Sequence, residues 1–149
     1  MSRQLPVIIR DMTEDDTSFI YSTWLKSYRQ SGFASSMSND VFFTYHKELI
    51  AKILSQSSTK ISLLVNENDH NQIYGYGVQQ VTGNRSITHF VYVKYNFRHF
   101  GFATRLIDSM GLFPDSTNFI THLPRNYNTL RAKYGLEYNP YILNDILRD

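Results

Sequence analysis

Apolar residues recur along this chain in two rhythms, one near 3.6 residues and one near 2. Leu5 to Arg10 contains Val7, Ile8 and Ile9 without interruption. An unbroken apolar run predicts a strand buried on both faces. Thr13-Glu14-Asp15-Asp16 then reads as a helix start, with a capping Thr, an acid three residues on, and charges suited to the helix dipole. Ile20, Trp24, Leu25 and Tyr28 fall on one stripe and carry that helix to about Arg29. Residues 31–38 hold Gly32 and four serines, a loop composition. Phe33 and Met37 within it either fold over a substrate or tuck into the core. Ser38 or Asn39 caps a second helix, from about Asp40 to Ser55, with Phe42, Tyr45, Leu49 and Ile53 sharing a face.

The rhythm then shortens. Strands are predicted over Ile61–Val65, Ile73–Val81 and Ser86–Lys94, joined by a turn at Glu67–Gln72 and a hairpin at Thr82–Arg85. Gly75 and Gly77 interrupt the second of these, which marks a bulge or a close backbone approach. Ala103, Leu106, Ile107 and Met110 return to helical spacing, and Gly111 is placed to end that helix. A strand over Asn118–Leu123, a short helix over Asn126–Lys133 ended by Tyr134-Gly135-Leu136, and a last strand over Tyr138–Leu143 complete the chain. The order predicts one mixed α/β domain over residues 1–149. Its central sheet has six or seven strands, about four helices cover it, and Ser86–Lys94 lies inside it.

Composition narrows the function. At 42% hydrophobic and 19% charged residues, 149 residues form a globular chain with a core of useful size. The absence of Cys excludes a disulfide framework, a thiolate metal site and a Cys nucleophile, and no metal site is expected. It fits a cytoplasmic home. No long apolar run crosses a membrane, and no apolar signal core opens the chain. A net charge of +2 is too weak to argue for nucleic acid. Eleven Tyr and ten Phe are many for this length, enough for some rings to line a cleft while most fill the core.

The chemistry concentrates in residues 91–110. A strand (Val91-Tyr92-Val93) runs through Arg98-x-x-Gly101-x-Ala103 into a helix. The first N–H groups of a helix lack internal partners and carry partial positive charge. Small residues there let an anion approach the backbone, and an Arg adds a fork matched to phosphate oxygens. The alternative is an ordinary strand-turn-helix with Arg98 as a solvated charge.

Val93-x-Tyr95-x-x-Arg98-x-x-Gly101-x-Ala103-x-x-Leu106 resembles the cofactor signature of the GNAT N-acetyltransferases, with Tyr95 where that family often has proline. The order of elements resembles the GNAT layout across most of the chain. The resemblance implies a GNAT-like fold and acetyl-CoA as cofactor. It implies that Val91, Tyr92 and Val93 offer backbone groups to the pantetheine arm. It also implies that Arg98, His99, Phe100, Gly101, Phe102, Ala103 and Thr104 surround the pyrophosphate. A backbone N–H of the same strand would then stabilise the oxyanion, so no particular side chain is needed there.

The acceptor implied is a primary amine, on a small molecule or a protein. His89 is a candidate base because histidine titrates near neutral pH, with His122 as another. Trp24, Tyr28 and Phe33 are candidate substrate lining, with core packing the alternative for Trp24. The family's general-acid Tyr stands four residues before a Gly-Phe pair. Here that position is Arg131, before Gly135-Leu136, so Tyr134 or Tyr127 must replace it, or the thiolate leaves unaided. A weakly catalytic or inactive GNAT-fold module that engages a protein partner is the competing reading.

Overall fold

The computed structural model describes residues 5–29, 36–82, 85–98, 100–110, 118–122 and 127–146. Strands β1 (Val7–Asp11), β2 (Thr59–Asn66), β3 (Asp69–Thr82), β4 (Arg85–Val93), β5 (Asn118–Ile120) and β6 (Leu136–Tyr138) form one sheet in the order β1-β2-β3-β4-β5-β6. The first three pairings are antiparallel, while β4–β5 and β5–β6 are parallel. Helices α1 (Thr17–Arg29), α2 (Asn39–Ser55), α3 (Phe102–Ser109), α4 (Tyr127–Tyr134) and α5 (Ile142–Ile146) accompany it.

The sheet separates two layers. Ile61, Leu63 and Val65 of β2 pack with Ile20, Trp24, Phe42 and Ile53 of α1 and α2. Leu64, from the same strand, packs with Phe102 and Leu106 of α3 on the other face. Side chains alternate across a strand, so a strand covered on both faces must be apolar throughout. β2 satisfies that rule and β1 does not. β1 is an edge strand, and only Val7 is buried while Ile8 and Ile9 are half-buried, contrary to the expectation from its apolar run.

The expected start of α1 is present in altered form. A 3-10 turn over Glu14–Asp16 precedes the helix, and Thr13 N–H donates to Asp16 Oδ2 at 2.9 Å. Arg10 donates to the same carboxylate at 2.7 and 3.0 Å and holds its pKa down to about 2. Ser38 caps α2, accepting from Val41 N–H at 3.2 Å. On α2 the stripe differs from the expected one. Tyr45 is 61% exposed, and His46 takes the buried position in its place. Leu49 lies four residues from Tyr45 and three from His46, and both spacings share a face; packing against Tyr28 and Phe42 selects His46.

The end of the chain also departs from expectation. The last strand is Leu136–Tyr138, and Ile142–Ile146 is a helix, where a strand over Tyr138–Leu143 was expected. Pro140 cannot donate to a ladder, and it instead accepts from Leu143 N–H in a turn leading into α5. Gly111 and Leu123 lie outside the described residues.

Candidate functional site

The site is the place where β4 leaves β5. Their pairing covers Ser86–Asn118, Ile87–Phe119 and Thr88–Ile120, and Thr121 N–H adds a bond to Thr88 O at 3.1 Å. On the other side of β4, Val78 faces Phe90 while Gln79 faces Thr88. His89 is therefore an extra residue in the strand, a bulge of the kind that bends a strand away from its neighbour. Beyond Thr88 no described strand pairs with β4 on the β5 side.

Alternation fixes which backbone groups face that opening. Lys94 N–H donates to Tyr74 O on β3, so Tyr92, two residues back, also turns toward β3. Val91 and Val93 turn the other way. Val93 O points into the opening and accepts from Arg98 Nε at 3.1 Å. Of the three residues expected to offer backbone to a pantetheine arm, Val91 and Val93 are placed to do so. Tyr92 is not; its ring packs against Phe19 and Tyr76.

Gly75 lets β3 lie close against β4, and Gly77 lets it lie close against the end of α3. A Cβ at Gly75 would collide with Tyr92 O, and one at Gly77 would collide with Met110 Cε. The expected close backbone approach holds at Gly75; at Gly77 the close neighbour is a side chain.

The turn after β4 fits a diphosphate by its geometry. Gly101 is the N-cap of α3 in the left-handed region, φ 73°, where a side chain is disfavoured. No side chain caps the helix, and Arg105 N–H to Gly101 O at 3.1 Å is its first internal bond. The N–H groups of Phe102, Ala103 and Thr104 are thus left for an outside acceptor. A Cβ built on Gly101 meets nothing within 4 Å, so the approach is open. Arg98 is exposed, lies 5.4 Å over the Tyr95 ring, and spends only its Nε on Val93. Phe102 is buried in the layer beneath α3, whereas Phe100 is 47% exposed and stacked on Phe102 at 5.5 Å. His99 lies outside the described residues.

At the foot of the opening lies a buried polar chain. His89 is fully buried; its Nε2 is 2.9 Å from Gln80 Oε1 and its Nδ1 is 2.8 Å from Thr121 Oγ1. Gln80 Nε2 in turn donates to Ser58 Oγ at 2.9 Å. An amide oxygen only accepts, so His89 Nε2 donates, and its Nδ1 accepts from the Thr121 hydroxyl. That hydroxyl has one proton, so His122 Nδ1, 2.9 Å away, donates to it. The His122 ring also bonds to the backbone of His89. Burial pushes His89 down to about 3 and His122 well below the ordinary histidine value. Both of His89's nitrogens are engaged, which leaves it no lone pair for a substrate proton.

Trp24 and Tyr28, expected as substrate lining, are core residues. Trp24 stacks on Phe90 at 5.3 Å, and the rings of Trp24 and Tyr28 meet His122 edge-on at 5.2 and 4.8 Å. Trp24 Nε1 and Thr88 Oγ1 are nonetheless buried without a partner among the described residues, at the point where the strands part. Phe33 lies outside the described residues.

The acid candidates are tied to structure. Tyr134 donates to Asp108 Oδ1 at 2.9 Å, and burial with that carboxylate raises its pKa. Tyr127 donates to Leu136 O at 3.3 Å and accepts from Tyr138 N–H at 3.1 Å. Arg131 is exposed, and its carbonyl accepts from Gly135 N–H in the left-handed turn that ends α4. Sequence reasoning missed Gln80, Thr121 and Asp108. Nothing local marks them, because they lie 9, 32 and 26 residues from the side chains they hold.

Among the described residues no group of His, Cys, Asp or Glu is placed to hold a metal ion, and no helix is long and apolar enough to cross a membrane.

Comparison with known proteins bears on the fold. No protein-family profile and no curated protein matches the sequence. Solved structures do match in shape. A protein provisionally described as an acetyl transferase from Pyrococcus furiosus superposes with a TM-score of 0.65 at 18% identity, over 85% of this chain and 89% of that one. One provisionally described as a GNAT-family acetyltransferase from Staphylococcus aureus gives 0.53 at 20% identity, over 68% and 86%. The PaiA N-acetyltransferase from Thermoplasma acidophilum, solved with coenzyme A, gives 0.50 at 15% identity, over 69% and 68%. The chain has the fold of the GNAT acetyltransferases.

Proposed function

We propose that this chain is an N-acetyltransferase that moves an acetyl group from acetyl-CoA to a primary amine of a small molecule or a protein. One observation carries the reading: the free edge of β4 at Val91 and Val93 leads directly to the uncapped start of α3 at Gly101, with Arg98 between them. Bound there, acetyl-CoA would supply an activated thioester. The chain's own residues would grip it by backbone. Phe102 to Thr104 N–H groups and Arg98 meet the diphosphate, and Val91 and Val93 extend the sheet onto the arm.

His89 and His122 are both buried, both held by hydrogen bonds and both pushed below the ordinary histidine value, so neither is a free base for the amine. A thiol leaving group of pKa about 8.5, by analogy with free Cys, departs near neutral pH without a protein acid. The engaged Tyr134 hydroxyl is therefore compatible with slow transfer.

The second reading is a GNAT-fold module that binds a protein partner without catalysis. The same engaged Tyr134 and buried His89 favour it. Calorimetry with acetyl-CoA and release of free thiol across a panel of amines and lysine peptides separate the two. Binding with thiol release above the hydrolysis blank is expected. Binding without release across the panel supports the module, and no binding at all overturns both assignments of the turn.

A further inference from the structure

A groove of about 600 Å³ runs between α1 and α2, lined by Tyr21, Ser22, Leu25, Lys26 and Arg29 from one helix and Phe43 and Lys47 from the other. It is separate from the cleft at β4. The α1 residues that pack onto the sheet side are Ile20, Trp24 and Tyr28, whereas Ser22, Lys26 and Lys47 are exposed. Tyr21, Leu25 and Phe43 give it an apolar floor. No acidic residue lines it.

The two helices run in opposite directions along the groove. At one end the Tyr21 hydroxyl donates to Lys47 O, and at the other Arg29 donates to Asn39 Oδ1 and Met37 O. Lys47 therefore stands near one end and Lys26 further along, on opposite walls. Eight residues separate Tyr21 from Arg29, or about 12 Å of helix. Neither lysine has an ion-pair partner among the described residues.

This charge arrangement selects the occupant. A fatty acid carries a single carboxylate at one end, whereas Lys26, Arg29 and Lys47 put three cations on the lining. A second copy of this chain would bring the same two lysines against themselves. An amphipathic helix with an apolar row at i, i+3, i+4 and i+7 and acids on both flanks matches a central apolar floor with a cation on each wall. We propose that the groove between α1 and α2 docks an acidic amphipathic helix of a protein partner. The proposal does not depend on acetyl transfer.

The test is fluorescence anisotropy of a labelled helix-forming peptide with a Leu row and Glu flanks, titrated with the whole chain. Saturable binding is expected, weakened at least about tenfold by Lys26→Glu with Lys47→Glu, and weakened by salt well above the physiological range. Both lysines are exposed, so the double variant should keep the parent's circular dichroism and melting profile. A peptide with Lys flanks should bind the double variant and not the parent. Ser22→Trp, which fills the groove from an exposed position, should also abolish binding. The proposal is overturned by an affinity unchanged in the double variant, by displacement of the peptide by a medium-chain fatty acid, or by a parent dimer in sedimentation that these substitutions dissociate.

Discussion

The two ends of the cleft are built from different materials. The end at α3 is backbone: a free strand edge, a left-handed glycine and helix N–H groups with no internal acceptor. The end at β5 is side chains locked to one another: Gln80, His89, Thr121 and His122 in one buried chain, with Tyr134 tied to Asp108. A backbone site needs only that nothing obstruct it, so it survives wide sequence change. A side-chain acid or base needs one group free and aimed, and here the obvious groups are occupied. The contrast sets the backbone groups that the proposed function uses for the cofactor apart from the side chains that it would need for proton transfer.

The largest effect should come from placing charge at the backbone end. Gly101→Glu puts a carboxylate where the diphosphate is proposed to sit, and should weaken acetyl-CoA binding at least about a hundredfold. A ligand at 100 times its dissociation constant adds about 2.7 kcal/mol to stability, so the thermal shift seen with the parent should vanish. Gly101→Ala separates charge from strain. The left-handed conformation costs a non-glycine residue about 1–2 kcal/mol, but nothing obstructs the added methyl. It should melt lower yet still bind. Equal affinity in Gly101→Glu and the parent would break the assignment.

The next effect tests the locked end. His89 is held down to about 3, whereas an unfolded histidine titrates near 6.5. Below pH 6.5 the unfolded chain binds the proton and the native chain does not, so stability falls as pH drops from 6.5 toward 3. At pH 5 the loss from this residue is about 2 kcal/mol. His46, down to about 4 by burial, and His122 push the same way. Denaturant midpoints at pH 7.5 and pH 5 measure the sum. The parent should lose more over this range than His89→Gln, and equal losses would mean that His89 is not held neutral.

The same contrast explains what the sequence made legible. The motif turn is local: Arg98, Gly101 and Ala103 lie within six residues, and their pattern alone predicts both the turn and the helix start that the structure contains. The antiparallel meander was legible because β2, β3 and β4 are joined by short turns. The role of His89 was not. Its fate depends on a bulge and on Thr121, reached only when a parallel strand closes beside it. Tyr45 and His46 compete for one helical face, and periodicity alone does not choose between adjacent residues. The strand at Tyr138–Leu143 failed because three residues of β6 precede Pro140 and a turn follows it.

The smallest effect decides whether Tyr134 belongs to the locked end or to the chemistry. Its hydroxyl joins α4 to Asp108 on α3, with Thr104 O a further 3.5 Å contact. As a strap it stabilises by about 1 kcal/mol, the scale of a hydrogen bond to a charged group at a half-exposed site. Tyr134→Phe and Asp108→Ala should then each cost about 1 kcal/mol, and the double variant should cost little more than either, because both remove one bond. Thiol release at saturating amine should stay within about twofold of the parent in all three. A catalytic acid would behave differently. Tyr134→Phe would then cost about 10² in rate, and Asp108→Ala, by freeing the hydroxyl, would raise it. Arg131→Ala is the internal control: its guanidinium stays protonated at any working pH, so its loss should leave both rate and stability near the parent's. A rate loss confined to Tyr134→Phe, with stability unchanged, would move that residue from scaffold to chemistry and erase the contrast between the two ends.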